Sequence, residues 1–283
     1  MRLSLFMNPL KNEDQYLKRL AAPLAEKIRV ARHISLETGA ILDVGCADGT
    51  VTVELARVFP EARIYGIDLN HNFINRAKAR AEEAKTQNVR FERIYLRDLL
   101  GREERYGVIT FISALHEFFS YGEGISSVIK ALADADELLL PGGRLIIRDM
   151  AAPAYFQKIC AEPSARKKVI AREDLRPYVQ SFEERYGSID NLLALNHFLL
   201  KYLYTDNWEY ELKENYVGVS LEEYQQIFTL LGMRVLHVET YLIPYLRNRW
   251  KEDFGFEEAE LDKLVSTTIL VAEKKVPAIR TPE

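Results

Sequence analysis

Ile41-Leu42-Asp43-Val44-Gly45-Cys46-Ala47-Asp48-Gly49 is the stretch on which the reading of the fold turns. Residues 40–44 form a short apolar run with Asp43 as its lone polar member, closed by Gly45, and such a run reads as a buried strand. A loop of small residues follows, and a helix is expected from about Thr50. Small residues let a backbone pass close to a ligand. The helix start adds unpaired N–H groups and partial positive charge. In doubly wound sheets the crevice outside the carboxyl ends of the strands is where ligands bind.

Working outward, residues 62–67 read as a second strand ending at Asp68, and Phe73, Ile74, Ala77, Ala81 and Ala84 mark the helix after it. Residues 89–95 alternate like a strand, 107–113 are apolar and β-branched, and Ile125, Val128, Ile129 and Leu132 mark a further helix. Pro141-Gly142-Gly143 is turn punctuation before a fifth strand at 144–149. This alternation predicts an α/β fold with a parallel sheet and helices on both faces. Upstream, Leu17, Leu20, Ala21, Leu24, Ile28 and Ala31 share one face of a helix over 14–33, which Pro23 should kink.

The alternation stops at residue 150. Residues 151–217 are aromatic-rich and helical by pattern, and Ser220-Leu-Glu-Glu223 is a capping box opening a helix that Gly232 closes. Residues 233–242 and 267–273 read as two closing strands, with a helix around 257–264 between them. The expected organisation is an N-terminal helical cap (1–35), a core (36–150), a helical insertion (151–217), the end of the core (218–275) and a tail (276–283).

The chain has 283 residues, 48% hydrophobic and 28% charged, enough to bury a sizeable core. A net charge of −4 argues against bulk binding to nucleic-acid phosphates. Two cysteines, Cys46 and Cys160, make no disulfide framework, and no Cys/His spacing resembles a zinc site, so no metal is expected. No apolar run approaches a membrane span or a signal-peptide core, and the expectation is a soluble cytoplasmic protein without a membrane partner.

Asp68, at a strand end, can accept both hydroxyls of a ribose, and Asp98, after the third strand, can accept from an adenine amino group. Taken with Asp43-Val-Gly45-Cys-Ala47-Asp-Gly49 and Pro141-Gly142-Gly143, these residues give a sequence that resembles the class I, Rossmann-like S-adenosylmethionine-dependent methyltransferases. Ala47 replaces that family's usual middle glycine, a tolerated variant. The motifs cover residues 40–150; 219–274 fit by pattern only, and 151–217 are not covered. The resemblance implies a doubly wound seven-stranded, mostly parallel sheet with an antiparallel last strand, a helical lid insertion, and S-adenosylmethionine as cofactor. Carried over by position, the cofactor-binding residues are Asp43 (methionine end), Gly45, Cys46, Ala47, Gly49, Asp68, Leu69, Asp98, Leu99 and Ser113. A dinucleotide dehydrogenase is the nearest competitor, but its G-x-G-x-x-G would need glycine where Ala47 and Thr50 stand.

Methyl transfer asks the protein to align a nucleophile and exclude water; a base is needed only for a protonated acceptor. Residues 113–119 follow strand four, where this family faces the transferred methyl, and lack the Asn/Asp-Pro-Pro-aromatic motif of amino-methylating nucleic-acid enzymes. His116 is the candidate base with Glu117 as its partner; the alternative is that His116 starts a helix and contacts the cofactor. Asp149 points toward the crevice and is a candidate for binding a substrate amine or hydroxyl, or a helix cap. Tyr155 belongs to an aromatic cluster that either lines a substrate pocket or is the core of the lid. Asn196 sits in an apolar helical stripe, where a buried amide bonds either backbone or ligand, and His197 lies beside it on a more polar side with Lys201. Arg166, Lys167, Lys168, Arg172 and Arg176 form one basic group, and Tyr245, Arg247, Arg249 and Trp250 another. A charge run is usually a solvated face, yet arginine beside aromatics can hold anions or bases. The preferred reading is a methyltransferase acting on a small molecule. An RNA methyltransferase using the basic groups and a non-catalytic S-adenosylmethionine-binding protein are the alternatives.

Overall fold

A computed structural model describes residues 24–35 and 39–276. The first part of the helix expected at 14–33 and the tail beyond 276 lie outside the described residues. What is described begins as a helical turn, α1 (Leu24–Lys27), which tightens into a 3-10 stretch (Ile28–His33).

The alternating pattern then becomes β1 (Ala40–Val44), α2 (Thr50–Val58), β2 (Ile64–Asp68), α3 (His71–Glu83), β3 (Val89–Arg93), β4 (Tyr106–Ile112), α4 (Leu115–Tyr121), α5 (Ile125–Leu138) and β5 (Leu139–Asp149). Every residue of β1 and β4 is buried, as a central parallel strand covered on both faces requires. Among the core helices, α3 is capped by the Asn70 side chain, which accepts from the amides of Asn72 and Phe73. After the insertion come α10 (Leu221–Leu230), β6 (Arg234–Tyr241) and β7 (Thr267–Glu273). The Ser220–Glu223 capping box forms as expected.

The seven strands lie in the order β3-β2-β1-β4-β5-β7-β6. β1 pairs parallel with both β2 and β4, while β7 runs antiparallel to β5 and β6. The chain reverses its winding direction between β1 and β4, so their carboxyl ends diverge into a crevice.

The insertion builds its own core. Its helices α6 (Pro163–Ile170), α7 (Arg176–Tyr186), α8 (Leu192–Lys201) and α9 (Trp208–Glu211) close around Phe156, Phe182, Leu195, Phe198 and Leu199. The link between β6 and β7 completes that core with two helices, α11 (Pro244–Phe254) and α12 (Glu258–Leu261), which bury Trp250, Phe254 and Leu261. The sequence pattern had indicated only the second of these. Lys201, read on a polar side, is wholly buried, with its ammonium 3.7 Å from the Tyr216 ring centroid and donating to the Glu211 carbonyl. Among the described residues, no helix is long and apolar enough to cross a membrane.

Candidate active site

The loop after β1 takes its shape from three residues with positive φ: Gly45 (73°), Ala47 (46°) and Gly49 (76°). Glycine is required at the first, where a Cβ would stand 2.8 Å from that of Ala114. Gly49 is as tightly held, since a Cβ there would meet the Ala77 methyl at 2.7 Å and the Phe91 ring at 2.9 Å. The turn therefore packs directly against the residues after β4 and on α3. Asp48 ties it further, accepting from the Thr50 hydroxyl at 2.7 Å and pairing with Arg80.

Asp43 is buried beneath this loop and accepts two hydroxyl hydrogen bonds, from Thr52 at 2.6 Å and Thr110 at 2.8 Å. Burial raises its pKa, and the two hydroxyls oppose the rise. Asp68, at the tip of β2, accepts the Ala47 amide at 3.0 Å and the Asn70 amide at 2.8 Å. One carboxylate thus joins the loops that follow β1 and β2. Ser113, at the end of β4, adopts a positive φ of 55°, and its amide donates to the Arg148 carbonyl at 2.6 Å.

These residues enclose a cavity at the carboxyl ends of the strands. Asp43, Gly45, Cys46, Ala47, Asp68, Leu69, Ser113 and Glu117, eight of the twelve expected cofactor and catalytic residues, line it. Gly49 shapes the loop from behind. Asp98 is exposed and Leu99 buried in the core; the wall on that side is Ile94, Tyr95 and Leu96. Lys27, from α1, also lines the cavity. In the sequence it is one lysine in an amphipathic helix, with no motif around it. Burial and the nearby Arg148 bring its pKa down to about 8, against the opposing pull of Asp43 and Asp48.

His116 does not pair with Glu117. Adjacent residues on a helix point about 100° apart, so α4 sends Glu117 to the cavity and His116 away from it. The partner of His116 is Asp149, whose Oδ1 lies 2.8 Å from Nδ1 and whose Oδ2 accepts the His116 backbone amide at 3.1 Å. Asp149 also accepts from the Met150 amide at 2.8 Å, so this buried carboxylate is committed internally rather than offered to a substrate. The other nitrogen of His116, Nε2, faces Glu214 of the insertion at 3.8 Å. Burial opposes protonation of His116, but the charge and hydrogen bond of Asp149, aided by Glu214, win and lift its pKa to about 9. The imidazolium bridges the core and the insertion. A group that keeps its proton at neutral pH is poorly placed to act as a base.

The insertion reaches this region through α4 and contributes no residue to the cavity lining. The Tyr121 hydroxyl donates to Glu214 at 3.0 Å, and the Asn215 amide donates to the Ser120 hydroxyl at 2.7 Å. The expected substrate residues lie elsewhere. Tyr155 and Tyr245 are exposed, and Arg247 holds Glu258 and Asp262 at 2.6 Å each. Asn196 accepts the Val265 amide at 2.9 Å, the backbone alternative for that residue. His197 is buried, accepts the Tyr216 amide at 3.3 Å, and borders a separate cavity within the insertion. Burial and neighbouring Lys201 depress its pKa well below the usual imidazole value. The basic groups are largely neutralised. Arg166 pairs with Asp190, Lys168 with Glu260, Arg172 with Asp174 and Arg249 with Asp253. Among the described residues, no group of histidine, cysteine and carboxylates is placed to hold a metal ion.

The sheet order, the cradle after β1 and the carboxylate at the tip of β2 define a class I methyltransferase. A family model described as a methyltransferase domain matches residues 36–215, and the chain belongs to that family of S-adenosylmethionine-dependent enzymes. A Rickettsia prowazekii protein named "Uncharacterized protein RP028" is 25% identical over 228 residues, covering 77% of this chain and 82% of that one. "Probable methyltransferase ltbC" of Aspergillus luteorubrus is 32% identical over 127 residues, 43% of this chain and 44% of its own length. Among solved structures, an O-methyltransferase family protein from Burkholderia thailandensis superposes with a TM-score of 0.55 at 12% identity. That match covers 93% of this chain but 60% of the other, and it speaks for the fold alone.

Proposed function

We propose that the protein methylates a small-molecule acceptor in the cavity above β1 and β4. The observation that carries this reading is the charge arrangement. The cavity is lined by Asp43, Asp48, Asp68 and Glu117, whereas Arg166, Lys168, Arg172 and Arg249 of the two basic groups are held in ion pairs. A polyanion would have to break those pairs to bind, then approach a negative cavity.

The residues present fit S-adenosylmethionine. The close approach of Gly45 to Ala114 leaves backbone, not side chain, beside the cavity, and Asp68 presents a carboxylate there for ribose hydroxyls. Lys27 is placed to meet the carboxylate of the methionine end, with Asp43 organising the loop through Thr52 and Thr110. When bound, the cofactor supplies an electrophilic methyl group on a sulfonium. The chain holds the two reactants in line and keeps water out.

Two measurements test this. Supplied with methyl-labelled S-adenosylmethionine and the RNA and small-molecule fractions of a cell extract, the protein should label the small-molecule fraction. Label appearing in RNA, with a steep dependence on salt, would overturn the choice of acceptor. Lys27→Met should weaken S-adenosylhomocysteine about tenfold and leave methylthioadenosine, which lacks the carboxylate, unchanged, as one lost charge-assisted hydrogen bond requires. Equal losses for both ligands would remove Lys27 from that role.

A further inference from the structure

With Asp43, Asp68 and Lys27 assigned to the cofactor and Asp48 paired with Arg80, one carboxyl group on the cavity wall is left over. Glu117 is enclosed by protein except where it meets the cavity, and among the described residues no group donates a hydrogen bond to its carboxylate. Its charged neighbours are already matched. His116 is held by Asp149, Lys201 lies against Glu211 and Tyr216, and Glu214 accepts from Tyr121. What remains at Glu117 is a carboxyl group whose ionised form has no partner.

That ionised form is costly to the empty protein. Burial, then the like charge of Glu214, outweigh the opposing pull of His116 and lift the Glu117 pKa to about 8; Asp68 and Asp149 add to the repulsion. Buried charge without a partner is normally removed unless a ligand supplies the partner. Beside Glu117 on the same wall stand Phe118 and Tyr121. A carboxylate flanked by aromatic rings recognises an alkylammonium, by charge at the nitrogen and by the ring faces around it. A neutral alcohol brings no charge that would draw this carboxyl into its ionised form, whereas an ammonium does.

We infer that the methyl acceptor is an amine, which enters as an ammonium ion held by Glu117 on the cavity wall it shares with Phe118 and Tyr121. This rests on the methyltransferase reading above and narrows it to N-methylation. Glu117 takes the proton that the ammonium must lose before its nitrogen lone pair forms a bond to the methyl carbon. As that bond forms, the carbon–sulfur bond breaks with its electron pair left on sulfur, and the proton passes from Glu117 to solvent.

The test is calorimetric and needs no turnover. The full chain is first titrated with S-adenosylhomocysteine, then the saturated complex with benzylamine, cyclohexylamine and butylamine, each against the alcohol of the same shape, near neutral pH. Amines should bind about tenfold or more tightly than their alcohols. Glu117→Gln should abolish that preference while binding S-adenosylhomocysteine as the wild type does, which also shows that the variant is folded. Alcohols binding as well as amines, no binding from either set, or a preference that survives in Glu117→Gln would each overturn the inference and leave the cofactor reading standing. Failure of the first titration would remove that reading, and this one with it.

Discussion

Asp68→Ala should weaken binding of S-adenosylhomocysteine about a hundredfold and leave the chain folded. The carboxylate stands at the one point where the loops after β1 and β2 meet, accepting the Ala47 and Asn70 amides at 3.0 and 2.8 Å. Each of its oxygens has lone-pair capacity beyond those bonds, directed at the cavity that Asp68 lines. Two hydrogen bonds from ribose hydroxyls to a charged group contribute about 1.5 kcal/mol each at the low end, and about 3 kcal/mol together is roughly a hundredfold in affinity. Alanine also leaves the Ala47 amide without its acceptor, so the cradle loosens and the loss should be no smaller than that sum. The isosteric Asp68→Asn, which keeps one acceptor oxygen, should fall between wild type and alanine. Calorimetric titration with S-adenosylmethionine, S-adenosylhomocysteine and NAD distinguishes the readings. NAD binding in place of the adenosyl compounds would refute the cofactor assignment, and unchanged affinity in Asp68→Ala would refute the ribose role.

The parts of this site that were legible in sequence are those encoded locally. A buried parallel strand reads as an unbroken apolar run, and the glycines after it mark backbone that side chains would obstruct, so β1, its loop and Asp68 could be placed from spacing alone. The positive φ of Ala47 carried no such mark, because alanine enters that region only under the constraint of its neighbours. Long-range pairing was not legible. His116 and Glu117 are neighbours in sequence and so face apart on α4, while the carboxylate that holds His116 lies at the end of β5 and the second one near the end of the insertion. Periodicity places a residue on a face but does not say which distant acid meets it. The same limit hid α11, where Pro244 and a run of charges obscured the i, i+4 pair of Trp250 and Phe254, and made Lys201 look solvated when a ring and a carbonyl take up its ammonium. Lys27 is unmarked because α1 lies outside every motif that builds the cavity.

The second large effect is on stability. The folding free energy should decline as pH rises from about 5 to about 8, and Asp149→Ala should lower it by about 3 kcal/mol near neutral pH. The sign follows from the groups whose folded pKa is raised. Glu117 goes from 4.5 to about 8, Glu211 from 4.5 to about 7, and His116 from 6.5 to about 9. Each holds more protons folded than unfolded within its window, so its contribution is complete below the unfolded value and lost as pH passes through the folded one. His197, lowered well below 6.5, acts in the opposite sense below that value and is outweighed by the two glutamates, while Lys27 and Lys201, both lowered to about 8, act in the opposite sense between 8 and 10.5. In Asp149→Ala the imidazolium is left buried with only Glu214 at 3.8 Å, and removing one partner of a buried ion pair costs about 3 to 5 kcal/mol. His116 should then release its proton on folding, so its share of the slope between pH 6.5 and 9 should vanish from that variant, leaving that of Glu117. Glu117→Gln, which stays neutral at every pH, should flatten the part between 4.5 and 8 instead and be more stable than wild type above neutrality. Urea unfolding followed across this pH range in the three proteins separates the contributions. A wild-type curve that is flat or rises toward pH 8 would mean that water reaches these carboxylates and that His116 folds neutral, and the clamp between core and insertion would lose its charge.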